Sequence, residues 1–293
     1  MSTRTKAEIA SQPACWRRVS EALPPAAAAL PVAGERVAVV GCGTSWFMAM
    51  SYAALREQAG QGETDAFTAS ELPDGRSYDA VVAITRSGTT TEVMQALRRV
   101  DAPRTVAVTA VAGSPVTEAA QRSVVLDFAD ETSVVQTRFA TTALALLRAH
   151  LGHDVAALAA GAEQALAQPL VDAAQISQVT FVGTGWTIGL AHEAALKLRE
   201  AAQFWTEAYP AMDYRHGPIA IAEPGRLVWS FGTPPPGLDS DVAATGATFI
   251  TSDLDPLAHL VVAQRFAVAL AEARSLDADR PRHLTRAVVL PGE

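Results

Sequence analysis

The sequence predicts an α/β protein of two subdomains, each a parallel β-sheet flanked by helices on both faces. Short β-branched runs alternate with Ala/Leu-rich stretches along the chain. Near-continuous apolar strands separated by helices belong to parallel sheets covered on both sides. A strand, a Gly-x-Gly turn and an Ala-Ala-Leu helix also occur twice. Gly41-Cys42-Gly43 through Ala53-Ala54-Leu55 is echoed about 140 residues later by Gly183-Thr184-Gly185 through Ala194-Ala195-Leu196. At 293 residues the chain is long enough for two modest domains with ample core.

The elements follow in order. Val37–Val40 reads as a strand, with a helix starting near Ser45. Ala80–Thr85 precedes a helix from about Thr90 to Val100, and Thr105–Ala110 precedes another near Ser114–Arg122. Val124–Phe128 is a strand leading to a long helix at Thr137–Leu151. The pattern then restarts with Val179–Val182 and the helix opened by Gly183-Thr184-Gly185. Later strands are expected at Leu227–Phe231, Ala247–Thr251 and Ala287–Leu290, and Thr233–Asp241 reads as Pro-rich loop. These elements divide the chain into an N-terminal extension (1–34), a first subdomain (35–152), a connecting segment (153–176) with an amphipathic helix at Asp154–Ala167, and a second subdomain (177–293).

Composition narrows the function classes. Hydrophobic residues make up 49% and charged residues 18%, which is globular. The net charge of −8, with no run of like charges, argues against a nucleic-acid or membrane-surface role. Cys15 and Cys42 are too few for a disulfide framework and lack zinc spacing, so no metal is expected. The N-terminus is polar with no apolar core of a signal peptide. The Ala-rich stretch Ala26–Ala33, flanked and interrupted by Pro24, Pro25 and Pro31, is too short to span a bilayer. A cytoplasmic location is expected.

Two turns in the first subdomain suit an anion. Gly41-Cys42-Gly43-Thr44-Ser45 ends a strand and opens a helix, where free N–H groups and the helix dipole favour negative charge. A lone Gly-x-Gly turn is a weak signal, and Ser/Thr residues also cap helices. The second turn says more. Thr85 to Thr91 packs five hydroxyls, a glycine and Arg86 into seven residues, whereas capping needs one hydroxyl. There is no Walker A ending, and Trp46 stands where a dinucleotide fingerprint has its third glycine.

Further on, Glu193, Lys197 and Glu200 fall at i, i+4 and i+7, on one helix face. His216 follows in a His-Gly-Pro turn. Two carboxylates, an amine and an imidazole supply the groups needed to move protons at neutral pH. Read blandly, Glu193 and Lys197 form a surface pair worth a few tenths of a kcal/mol, and His216 caps a loop. Trp205 and Tyr209, one and two turns on, read as core, and Glu207 as either a second site carboxylate or a solvated helix face.

Gly-Cys-Gly-Thr-Ser after one strand and Thr-Arg-Ser-Gly-Thr-Thr after another resemble the SIS (sugar isomerase) domain of phosphosugar enzymes. Glu131–Thr142 looks like that family's next block. Glu193–Pro218 is similar to the core of the isomerase half of glucosamine–fructose-6-phosphate aminotransferase, and Asp277–Leu284 matches its C-terminal signature. The resemblance spans roughly residues 35–290 and implies two SIS subdomains. It implies that Ser45, Thr85, Ser87 and Thr90 hold a sugar 6-phosphate; Arg86, where the family usually has a neutral residue, either strengthens that phosphate binding or points away. Gly43, Thr44, Val134 and Arg286 would complete the substrate site. It further implies that Glu200 shuttles the proton between C1 and C2, supported by Lys197 and Glu193. His216 would serve ring opening from the partner subunit of a homodimer. No cofactor is implied.

One departure matters. Arg286 stands where the aminotransferase has an imine-forming lysine, and a guanidinium cannot form an imine. Only 36 residues precede the first expected strand, with no cysteine at position 2, so glutamine-driven amination is not expected of this chain alone. The leading expectation is an enzyme that abstracts the C2 proton of glucosamine 6-phosphate or N-acetylglucosamine 6-phosphate, giving isomerisation and deamination. The alternatives are a lyase that eliminates the C3 hydroxyl of N-acetylglucosamine 6-phosphate, and a non-catalytic phosphosugar sensor.

Overall fold

The computed structural model describes residues 3–291. The chain forms two compact units, one around each sheet. The first comprises Ala14–Thr132, Gln136–Ala156 and the tail from Thr285. The second comprises the chain up to Pro13, Ser133–Val135 and Ala157–Leu284.

Two helices open the chain, α1 (Thr3–Ala10) and α2 (Gln12–Ala27). Pro24 and Pro25 lie inside the end of α2. Trp16 anchors α2 in the first unit; it is fully buried, and its indole N–H donates to the Thr141 hydroxyl at 3.1 Å.

The first sheet contains β1 (Val37–Gly41), β2 (Thr64–Thr68), β3 (Ala80–Thr85), β4 (Arg104–Thr109) and β5 (Arg122–Val125). Among the described residues these five strands are all parallel, in the order β2-β1-β3-β4-β5. Every residue of β1 and β3 is buried, as expected where helices cover both faces. Ala38, Val40, Val81, Ala83 and Ala107 pack against α4 (Thr91–Arg99) and α5 (Pro115–Ala119). The other face carries α3 (Thr44–Gln58), which packs on β1, β2 and α6 (Arg138–His150). The strand expected at Val124–Phe128 starts two residues earlier and stops at Val125, giving way to a 3₁₀ turn at Asp127–Ala129.

In the second unit, α7 (Val155–Ala167) leads to β6 (Gln178–Gly183), α8 (Thr187–Ala202), β7 (Thr206–Pro210), β8 (Arg226–Phe231), α9 (Leu238–Ala244), β9 (Thr248–Ile250) and α10 (Pro256–Ala273). The sheet is parallel in the order β7-β6-β8-β9, so its first strands repeat the arrangement of the first sheet. Val182 and Val228 pack with Leu238 and Val242 of α9, while α8 and α10 pack together against the sheet. Phe181, Trp229 and Phe231 form an aromatic cluster with His259 and Phe266 of α10.

Two expectations are corrected. The stretch expected as Pro-rich loop contains the start of α9, whose first turn holds Asp239 and Asp241. Ala287–Leu290 is not a strand. It lies along the start of α4, where the Val288 carbonyl accepts from the Thr91 N–H at 3.2 Å and the Leu290 N–H donates to the Thr91 hydroxyl at 3.0 Å. No helix among the described residues is long and apolar enough to cross a membrane.

Candidate active site

The strand order of the first sheet reverses between β1 and β3. In open parallel sheets, ligands bind beyond the carboxyl ends of the strands at such a point. Both hydroxyl-bearing turns leave the sheet there, one after β1 and one after β3. Gly41 closes β1 because nothing larger fits: a Cβ would sit 2.6 Å from the Ser45 carbonyl carbon. Gly43 takes φ 54°, which a side chain rarely adopts. Thr44 and Ser45 are buried at the start of α3.

After β3, Thr85 and Ser87 are buried, and Thr89 and Thr90 are half-buried. The Ser87 hydroxyl accepts from the Thr89 N–H at 3.2 Å and pairs with the Thr89 hydroxyl at 3.0 Å. Thr90 sits at the N-cap of α4, yet its side chain makes no capping bond, so capping does not explain this hydroxyl. Gly88, at φ 67°, lies so close to Ser114 that a Cβ would be 2.1 Å from its hydroxyl oxygen.

Arg86 and Arg286 turn inward, in a way no sequence spacing shows. Arg86 is 3% exposed. Its guanidinium donates to the Arg286 carbonyl at 2.9 Å and lies 3.7 Å from the Glu131 carboxylate. The Arg286 guanidinium pairs with Asp130 at 2.5 Å and donates to the Glu131 carbonyl. Through these contacts Arg86 links the turn after β3 to the C-terminal tail.

The second unit holds the groups expected from the sequence to transfer protons. Helix α8 ends at Gln203 in the left-handed region (φ 50°), whose N–H closes onto the Arg199 and Leu198 carbonyls. The helix carries Glu193, Lys197 and Glu200 on one face. Glu193 and Lys197 are each 1% exposed, so they are not a surface pair. The Lys197 ammonium lies 3.4 Å from Glu193 and 2.5 Å from Glu200. Glu200 is the member of the three that reaches a cavity of about 540 Å³, lined also by Leu196, Arg199, Gln203, Trp205 and Arg282–Leu284. A carboxylate at a cavity wall, held on its inner side by a buried ammonium, is placed to accept a proton from a carbon acid.

Because α8 stops at Ala202, the residues beyond it are not helical. Trp205 is 75% exposed instead of core, and Glu207 and Tyr209 lie on strand β7 with the tyrosine hydroxyl 3.2 Å from the Glu207 carboxylate. His216 is exposed on a loop rooted by Tyr214, which is fully buried. Burial, with Glu207 next, pushes the Tyr214 hydroxyl up to about 12. Arg215 ties the same loop to Asp241 at 2.7 Å. Val134 is half-buried in Ser133–Val135, a segment that goes with the second unit.

Residues 32–151 match the model of the SIS domain. The chain carries a SIS domain. It is 28% identical to glutamine–fructose-6-phosphate aminotransferase (isomerizing) of Pyrobaculum aerophilum, over 97% of this chain and 57% of the relative. It is 29% identical to that of Halobacterium salinarum, over 86% and 51%. The chain thus spans about half the length of the curated relatives it matches. Its fold is that of glucosamine-6-phosphate deaminase from Thermotoga maritima (TM-score 0.80, 23% identity, 98% of this chain and 100% of that one). It is equally that of the C-terminal domain of glucosamine-fructose-6-phosphate aminotransferase from Francisella tularensis (TM-score 0.80, 21% identity, 95% and 98%).

Proposed function

We propose that this SIS protein is an enzyme that abstracts the C2 proton of an amino-sugar 6-phosphate. The observation that carries the reading is the buried Glu193–Lys197 pair with Glu200 at its solvent end. A binding module has no use for a buried ammonium that holds a cavity-facing carboxylate. In this reading Ser45, Thr85, Ser87 and Thr90 take the phosphate, and Gly43 and Thr44 supply backbone N–H groups at the start of α3. Glu200 is the base. Lys197 pairs with it and stabilises the enediolate that forms. His216 assists ring opening, supplied across a homodimer.

With a free amine at C2, proton return at C1 moves the double bond to the C2–N bond. Water then hydrolyses that imine, leaving the ketose and ammonia. A second outcome is favoured by Arg286, whose side chain cannot form an imine and is engaged by Asp130. With an acetamido group at C2, the carbanion electrons form a C2–C3 double bond and expel the C3 hydroxyl, which takes the proton that Glu200 removed and leaves as water, giving an unsaturated sugar phosphate.

The test is NMR in D2O with glucosamine 6-phosphate, N-acetylglucosamine 6-phosphate and fructose 6-phosphate supplied separately. A ketose with ammonia identifies the deaminase. An unsaturated product that has lost the C3 oxygen identifies the lyase. Tight binding of these sugars without exchange at C2 would instead make the chain a sensor.

A further inference from the structure

Glu131 is almost completely buried, and its two carboxylate oxygens face different elements. Oε1 accepts from the Thr137 N–H at 2.6 Å, the Thr137 hydroxyl at 2.7 Å and the Arg138 N–H at 2.8 Å, at the N-terminus of α6. Oε2 lies 3.7 Å from the guanidinium of Arg86. Arg86 belongs to the turn after β3, between Thr85 and Ser87. Its carbonyl accepts from the Ala110 N–H at 3.1 Å and the Thr109 hydroxyl at 3.2 Å. The residue is thus held at its backbone by β4 and its neighbour Ala110, and at its side chain by the Arg286 carbonyl and the Glu131 carboxylate.

We propose that Glu131 is a positioning residue for the phosphate turn, acting through Arg86. The proposal rests on the reading that Thr85, Ser87 and Thr90 hold a phosphate. A buried guanidinium inside an anion-binding turn carries a desolvation cost that only a fixed counter-charge offsets. Glu131 supplies that charge from the N-terminus of α6, where its Oε1 accepts from the Thr137 and Arg138 N–H groups. It thereby keeps Arg86 folded inward and the turn hydroxyls in register. Without it, Arg86 seeks another anion or solvent and carries Thr85 and Ser87 with it.

The test is a double-mutant cycle read by calorimetric titration of the full chain with inorganic phosphate. Glu131→Gln is expected to weaken phosphate binding about tenfold, and the double variant Arg86→Gln/Glu131→Gln to recover most of the loss, within the range of couplings seen for contacting residues. A role confined to capping α6 predicts no recovery, because Arg86 takes no part in the cap. If Glu131→Gln fails to fold, folding of the double variant is the same rescue, and its failure to fold overturns the proposal. Additive effects on phosphate affinity also overturn it. A wild-type chain that binds neither inorganic phosphate nor glucosamine 6-phosphate removes the phosphate reading itself, and the proposal with it.

Discussion

Lys197 shows at the level of one residue how the site and the fold share groups. It is 1% exposed and within 3.4 Å of Glu193 and 2.5 Å of Glu200, so it pairs with a buried carboxylate as well as with the proposed base. Lys197→Met removes a charge partner of Glu193 and is expected to cost about 3–5 kcal/mol in chemical denaturation, as for other broken buried pairs. Lys197→Met/Glu193→Gln should regain most of that stability without regaining exchange at C2. If the double variant is no more stable than the single, the pair is not electrostatically coupled. The i, i+4, i+7 spacing of these residues was legible in the sequence, but their burial was not, because spacing alone cannot separate a surface ladder from a site. The inward turn of Arg86 was likewise illegible. Its partners Glu131 and Arg286 lie 45 and 200 residues away.

At the scale of elements, the two strand-to-helix turns share a device and differ in use. Gly41 and Gly183 each end the first strand of their sheet, and a Cβ at either would strike the backbone of the following helix, at 2.6 Å and 2.4 Å. Gly41→Ala and Gly183→Ala are each expected to destabilise by about 1–3 kcal/mol through overpacking. Only Gly41→Ala should also weaken binding of inorganic phosphate; equal loss from both would deny the first turn its role. The second turn is closed by Thr187, whose hydroxyl accepts from the Thr184 N–H at 2.8 Å and lies 2.8 Å from the Phe231 carbonyl oxygen. Interior strands were legible as unbroken apolar runs. The edge strands β2 and β7 were missed because half-buried strands such as Thr64–Thr68 and Thr206–Pro210 mix polar with apolar residues. Helix α10 was missed although Asp255 caps it, accepting from the Leu257 N–H at 2.9 Å, and Pro256 follows as a helix-starting proline.

The same helix α10 makes stability depend on pH. His259 is buried, its Nε2 accepts from the Trp229 indole N–H at 2.9 Å, and burial lowers its pKa from 6.5 to about 4. The fold holds this imidazole neutral while the unfolded chain protonates it, so its contribution is present above pH 6.5 and falls as pH drops towards 4. The full loss amounts to about 3 kcal/mol. Unfolding midpoints of wild type and His259→Phe should therefore converge as pH falls through this window; parallel curves would mean that His259 does not titrate there.

For the molecule as a whole, a duplicated parallel sheet was readable from the recurrence of strand, glycine turn and helix, and the matching strand orders β2-β1-β3-β4 and β7-β6-β8-β9 follow it. In the proposed reading the chemistry divides between the copies: the first carries the hydroxyl-rich turns, and the second carries Glu200 and His216. If His216 is supplied across a homodimer, mixing Glu200→Gln and His216→Ala chains should restore part of the activity that each lacks alone, and no restoration would place both groups in one subunit's site. The most direct test of the account is deuterium exchange at C2 of glucosamine 6-phosphate and N-acetylglucosamine 6-phosphate in D2O, comparing wild type with Glu200→Gln at matched phosphate binding. The account predicts exchange by the wild type with at least one of the two sugars, and none by the variant, although it still binds phosphate. Exchange that survives in Glu200→Gln would contradict it.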